Sequence, residues 1–162
     1  MTQPGLFDQP LPPIKALTLH QPWASLMAWG FKRWETRSWA TGYRGPLAIH
    51  AAKTIPAYAQ EAALELPFFE VFEKTGASLA TLPLGRVLAV CRLVNCRQIS
   101  SHQVPKDLEG DIGREEPFGD FSIGRYAWIT EDVRIFEPIP ARGAQGLWSW
   151  APPIELREEL GL

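Results

Sequence analysis

The segment Gly30-Phe31-Lys32-Arg33-Trp34-Glu35-Thr36-Arg37 gathers the side chains best suited to chemistry. From Lys32 to Trp39 the pattern has a period of two. That predicts a strand with Arg33, Glu35, Arg37 and Trp39 on one face and Trp34, Thr36 and Ser38 on the other. Glu35 and Arg37 are then close enough to pair as carboxylate and guanidinium, and Lys32 leaves the preceding turn with an amine that can swing into a cleft. On an open surface such a pair contributes only about 0–1 kcal/mol. Facing a hollow, it becomes a recognition or acid–base element.

Charge along the chain supports a basic cleft. Residues 1 to 53 carry Lys15, Lys32, Arg33, Arg37, Arg44 and Lys53 against Asp8 and Glu35, and the remainder is net acidic, for an overall charge of -2. Arg86, Arg92 and Arg97 form a second basic stretch without acids. The two could converge, with tryptophans interleaved, or could simply solubilise strand edges. Four of the seven tryptophans (Trp23, Trp29, Trp34, Trp39) fall within 17 residues. Two cysteines and three histidines are too few for a disulfide framework or a Cys/His zinc module, which points to a reducing cytoplasm. No apolar run reaches the roughly 20 residues of a membrane span, and the amino-terminal residues lack the order of a signal peptide.

Positioning these residues requires a sheet. Residues 1–13 hold four prolines and read as a flexible arm; residues 14–162 read as one domain of ordinary size. Ile14 to Leu19 predicts a strand. A helix follows from about Pro22 to Trp29, with Gly30 as terminator. Leu47 to Ala51 and Arg86 to Asn95 predict further strands, as do Tyr126 to Ile129 and Val133 to Phe136. Ile55 to Thr75 reads as two helices broken at Pro67, Pro105 to Asp120 as a loop, and Pro153 to Leu160 as a last helix before Gly161. About five or six short strands with peripheral short helices imply an α+β fold, a small barrel or curled sheet that hides its edges.

The segment from Gly30 to Arg37 fits the GxKxxExR signature of the ASCH (activating-signal-cointegrator homology) domains, and Leu17 to Ser25 resembles that family's strand and QPWA-type helix start. The resemblance continues through Tyr43 to Lys53, Phe118 to Trp128 and Gly143 to Trp148, so it spans roughly residues 14 to 150. It implies a PUA-like β-barrel, the fold of RNA-modifying proteins, with a cleft for RNA, single-stranded nucleic acid or a nucleoside.

Some family members resemble single-strand ribonucleases, and others bind without cleaving. For cleavage by the neighbouring 2′-hydroxyl, Lys32, Lys53 and Arg37 could supply charge, Tyr43 and Ser122 could donate or position, and Glu35 or His50 could act as base. For binding, the expected contacts are Trp23, Arg33, Trp34, Arg37, Arg44, His50 and Trp148, with the indoles as stacking platforms. His50 has a structural alternative as a hydrogen-bonded strand residue. Still other members resemble amidohydrolases of acylated nucleosides such as N4-acetylcytidine, which use a lysine and a threonine three residues later. Lys32 matches, but Glu35 holds the threonine position, so a bound water would have to attack. A non-catalytic nucleic-acid-binding adaptor is the third expectation. The sequence singles out no cofactor, and Mg²⁺ or Mn²⁺ on oxygen ligands such as Glu35 and Asp120 is compatible with it. A monomer is expected. In the arm, Gln3, Leu6 and Phe7 resemble a sliding-clamp docking peptide.

Overall fold

Segments rich in β-branched and aromatic residues pair into one mixed sheet. The computed structural model describes residues 11–100 and 113–162. Its strands are β1 (Ile14–Leu19), β2 (Trp34–Arg37), β3 (Gly45–Ala51), β4 (Arg86–Gln98), β5 (Tyr126–Pro140) and β6 (Leu147–Trp150), in the order β2-β5-β4-β3-β1-β6. β1 and β3 run parallel, and every other pair is antiparallel. No ladder joins β2 to β6 among the described residues, so the sheet is barrel-like but not closed. The expected α+β class and strand number are present.

The sheet is covered on both faces, which explains why β3 is buried along Leu47–Ala51 with no polar alternation except His50. On one side Leu17, Leu19, Leu47, Ile49, Leu93 and Trp128 pack with Ala24, Met27 and Ala28 of helix α1 (Trp23–Ala28). On the other, Ile14, Ala16, Val87, Val90 and Trp150 pack with Leu156 of the final helix α4 (Ile154–Leu160). Six residues are too few for a helix to stand alone in water. Burial holds α1, and so does Gln21, whose side-chain oxygen accepts the Ser25 N–H at 3.0 Å while its amide donates to Ser25 Oγ and the Pro83 carbonyl.

Several boundaries differ from expectation. Pro67 does not break the helical region: it lies in the first turn of α3 (Leu66–Thr75), where a missing N–H costs nothing, and the break falls earlier, after α2 (Ala57–Ala62). The two strands expected within residues 126–136 are one 15-residue strand, because Asp132 at φ 54 absorbs an irregularity in the β4–β5 ladder instead of ending it. β6 was not among the expected strands. The loop expected from Pro105 contains a 3₁₀ turn at Glu116–Phe118, and its residues 105–112 lie outside the described part. So do most of the arm and the clamp-like Gln3, Leu6 and Phe7.

Candidate functional site

A cleft of about 1080 Å³ opens where β1, β2 and the ends of β3 and β5 meet. Its floor is the segment from Lys32 to Arg37. Lys32 is 1% exposed, and its ammonium donates to the Trp34 carbonyl and, at 2.9 Å, to Glu35 Oε2. Arg37 Nε lies 3.6 Å from the other oxygen, Glu35 Oε1, and Arg37 Nη2 donates to the Thr18 carbonyl at 3.0 Å. The Glu35 carboxylate therefore sits between two cations while remaining 14% exposed to the cleft. A buried ammonium is tolerable only with such partners.

This floor is anchored from behind by a group the sequence did not single out. Glu115 is completely buried, and its carboxylate accepts the backbone N–H of Arg33 at 3.0 Å and of Trp34 at 3.1 Å. Among the described residues β2 otherwise pairs only with β5. Glu115 thus fixes the start of the strand that presents Glu35 and Arg37, and it leads into the loop whose Pro117, Phe118, Gly119 and Asp120 form one wall. Trp23 Nε1 donates to the Phe118 carbonyl at 2.8 Å and ties that wall to α1. Nothing in the sequence distinguishes Glu115 from the other acids nearby.

One side of the cleft is aromatic. Trp23 lies 6.0 Å from Tyr58, with ring planes 34° apart, and meets Phe68 edge-on at 5.8 Å; Phe68 in turn meets Phe118 edge-on. Trp39, also in the lining, packs edge-on against Trp128 at 4.6 Å. Tyr58 is exposed, and an exposed aromatic ring beside a basic cleft is a stacking surface.

His50 is buried in the lining and fully committed. Its Nε2 is 2.9 Å from the Ala141 carbonyl and must donate, which leaves Nδ1 to accept from the Thr18 hydroxyl at 3.1 Å; Thr18 Oγ1 in turn accepts from Trp148 Nε1 at 3.0 Å. Burial holds the imidazole pKa below its ordinary value, against the opposing pull of the Ala141 carbonyl. Thr18 and His50 are register partners on β1 and β3, and the β3–β4 ladder is irregular at Ile49/His50. Gly143 closes over it: a Cβ there would come within 2.5 Å of His50 Cε1 and 2.7 Å of Thr18 Oγ1, so no side chain fits.

Of the residues expected at the site, Lys32, Glu35, Arg37, Lys53, His50 and Trp23 line the cleft. Six others do not. Tyr43 packs on the main core and donates its hydroxyl to the Pro46 carbonyl at 2.5 Å, with burial raising its pKa. Ser122 is exposed and donates to Asp120; its hydroxyl and backbone N–H hold the Asp120 carboxyl below its ordinary pKa. Trp34 is buried in a small cluster with Ala127 and Ile129, as its even-numbered face required. Arg33 lies at the Glu115 anchor, and exposed Arg44 donates to the Thr41 and Tyr43 carbonyls. Trp148 stands behind His50, edge-on at 5.4 Å. The stretch with Arg86, Arg92 and Arg97 does not reach the lining either: the three are exposed positions at the start, middle and end of β4, and none of them borders the cleft. The cations that join Lys32, Arg37 and Lys53 are instead Arg125 and Arg142, against the carboxylates of Glu35 and Asp120.

Arg125 is tied to its neighbours by a 3.0 Å bond to the Thr36 carbonyl and a 3.4 Å approach to Asp120. Lys53 and Arg142 are exposed, flanking the turn at Gly85, whose carbonyl accepts the Ala141 N–H. Among the described residues no three His, Cys, Asp or Glu side chains gather at one point. Glu35 and Asp120 both line the cleft, and each is already engaged by a cation. No helix among the described residues is long and apolar enough to cross a membrane.

A six-stranded α+β sheet enclosing a basic, aromatic-sided cleft is the PUA-like arrangement that the sequence motifs implied. The ASCH domain model matches residues 17–140. Over 147 residues the chain is 36% identical to Activating signal cointegrator 1 of human and of mouse, covering 90% of this chain but 24% of those proteins. The chain thus spans about a quarter of the length of the curated relatives it matches. The crystal structure of ASCH from Zymomonas mobilis superposes with a TM-score of 0.51 over 91% of this chain and 92% of that one, at 15% identity, a likeness of fold. The chain belongs to the ASCH domain family.

Proposed function

We propose that this ASCH-domain protein binds RNA or single-stranded nucleic acid in the cleft, one base entering beside Trp23 and Tyr58 and the backbone lying along Lys53 and Arg142. One observation carries the reading: the cleft combines an aromatic side, a floor of hydrogen-bonding charges and two exposed cations with no ion-pair partner among the described residues. Stacking on an exposed aromatic contributes about 1–3 kcal/mol per base, whereas each phosphate contact adds salt-dependent affinity.

Binding accounts for the site better than cleavage does. A base for the 2′-hydroxyl would have to be His50, whose two nitrogens are both engaged, or Glu35, whose oxygens both face a cation. Ribonuclease action, divalent-metal assistance and hydrolysis of an acylated nucleoside through Lys32 and Glu35 are finer readings that the same experiment addresses.

Fluorescence anisotropy with labelled single-stranded RNA and DNA over a salt series is the test. Affinity should fall with salt, with a slope of about -0.7 per phosphate contacted, so about -1.4 for two contacts. K53A/R142A should flatten the slope. Salt-independent binding, or none, would overturn the proposal. The RNA recovered afterwards should be intact with or without Mg²⁺, and acetylcytidine should survive incubation. Cleavage that disappears in K32A would replace binding with catalysis.

A further inference from the structure

Resting on the nucleic-acid reading, the cleft floor also carries a pattern that discriminates among bases. Its polar groups stand in the order ammonium, carboxylate, guanidinium: Lys32 Nζ is 2.9 Å from one oxygen of Glu35, and Arg37 Nε is 3.6 Å from the other. Hydrogen-bond inventory fixes what each can offer. Lys32 has three N–H groups and two acceptors, the Trp34 carbonyl and Glu35, so one donor is left over. Arg37 uses one Nη2 hydrogen on the Thr18 carbonyl and keeps further guanidinium donors. Glu35 is acceptor-only when ionised, and its carboxylate, 14% exposed in the cleft lining, has lone pairs beyond the one that accepts from Lys32. The floor therefore presents donor, acceptor, donor.

The complementary edge is acceptor, donor, acceptor. Among the common bases only uracil and thymine carry it, as the imide O2, N3–H and O4. Cytosine places its ring nitrogen as an acceptor against Glu35, where two sets of lone pairs would meet. Adenine has the same conflict at N1. Guanine presents N1–H to Glu35 but a second donor, its amino group, to a flanking cation. The discrimination is enforced by repulsion as much as by attraction, because a buried charged group left unpaired or opposed costs more than a good bond gains. His50 does not blur the pattern, since both of its nitrogens are already committed.

We infer that the cleft selects a pyrimidine imide, uracil in RNA or thymine in DNA, through Glu35 flanked by Lys32 and Arg37. Anisotropy titrations with labelled homopolymers of U, dT, C and A at one salt concentration test it. The U and dT strands should bind at least about tenfold tighter than C and A, in keeping with the discrimination that a good base-edge contact supplies. Which of U and dT is tighter identifies the source of the imide. A U strand methylated at N3, which loses only the central donor, should fall to the level of C. E35Q should bring all homopolymers within about threefold of one another, since an amide can turn either its oxygen or its NH₂ toward the base. Equal binding of all homopolymers by the unaltered protein, a preference for C or A, or tolerance of N3 methylation would overturn the imide inference while leaving nucleic-acid binding intact. Failure of every homopolymer to bind would remove both.

Discussion

Two carboxylates flank the same short strand and could hardly be used more differently. Glu115, behind β2, has no exposure and receives backbone N–H groups of Arg33 and Trp34. Glu35, in front, is held by the side chains of Lys32 and Arg37 and faces the cleft. A carboxylate neutralised by main-chain amides has no capacity left for a ligand, and its partners cannot be mutated away. One neutralised by side-chain cations keeps open lone pairs, and its partners are themselves adjustable. The contrast separates a carboxylate that shapes the site from one that reads what enters it.

The largest effect should follow loss of the rear carboxylate. E115A strands two backbone amides, at roughly 1–3 kcal/mol each, so chemical denaturation should show a loss of about 2–6 kcal/mol. A loss below about 1 kcal/mol would show that β2 is held by its pairing with β5 alone, and the contrast would break. The front carboxylate should behave in a different way. E35Q leaves the Lys32 ammonium buried without its counter-charge and should cost about 1–3 kcal/mol, but K32M/E35Q, which removes both charges, should recover most of that stability while remaining defective in binding. If the double variant is no more stable than E35Q, the Lys32–Glu35 pair is structural in the same sense as Glu115.

The smallest effect concerns another buried ionisable group, His50. Its folded pKa lies below the ordinary 6.5, so the unfolded chain takes up a proton first as the solution is acidified. Stability from this group is complete above about pH 6.5 and is lost as pH falls from there through the lowered folded pKa. H50Q should flatten the stability profile in that window. An equal slope in both proteins would assign the acid sensitivity to other groups.

Much of the polar floor could be read from the chain, because a period of two places Glu35 and Arg37 together whatever they pack against. Trp34 shows the other side of that rule: its alternate position meant core, and tryptophan's value as a stacking platform could not change its face. Tyr43 and Ser122 were attractive for their hydroxyls, yet each is spent on a neighbour within three residues, a local preference that residue type alone does not reveal. Arg125 and Arg142 were overlooked since they lie in the acidic part of the chain; long-range pairing of β5 with β2 and β4 brings them to the cleft. Most strands were legible from β-branched or alternating runs, but β6, Leu-Trp-Ser-Trp with no β-branched residue, was not. The continuity of β5 was not, because a Glu-Asp pair at a bulge looks the same as one at a turn.

The shortness of β2 has one more consequence. Four residues long and at the margin of the sheet, it shares a ladder with β5 alone, whereas β3 and β4 are zipped on both sides. Fluctuations that peel this margin away break one ladder and the small Trp34 cluster but leave the interior strands intact, so they draw on a smaller free energy than global unfolding. The reading head of the cleft is accordingly mounted on a part that can detach and reseat while the rest of the protein stays folded, and a strand bound across it would act as a splint.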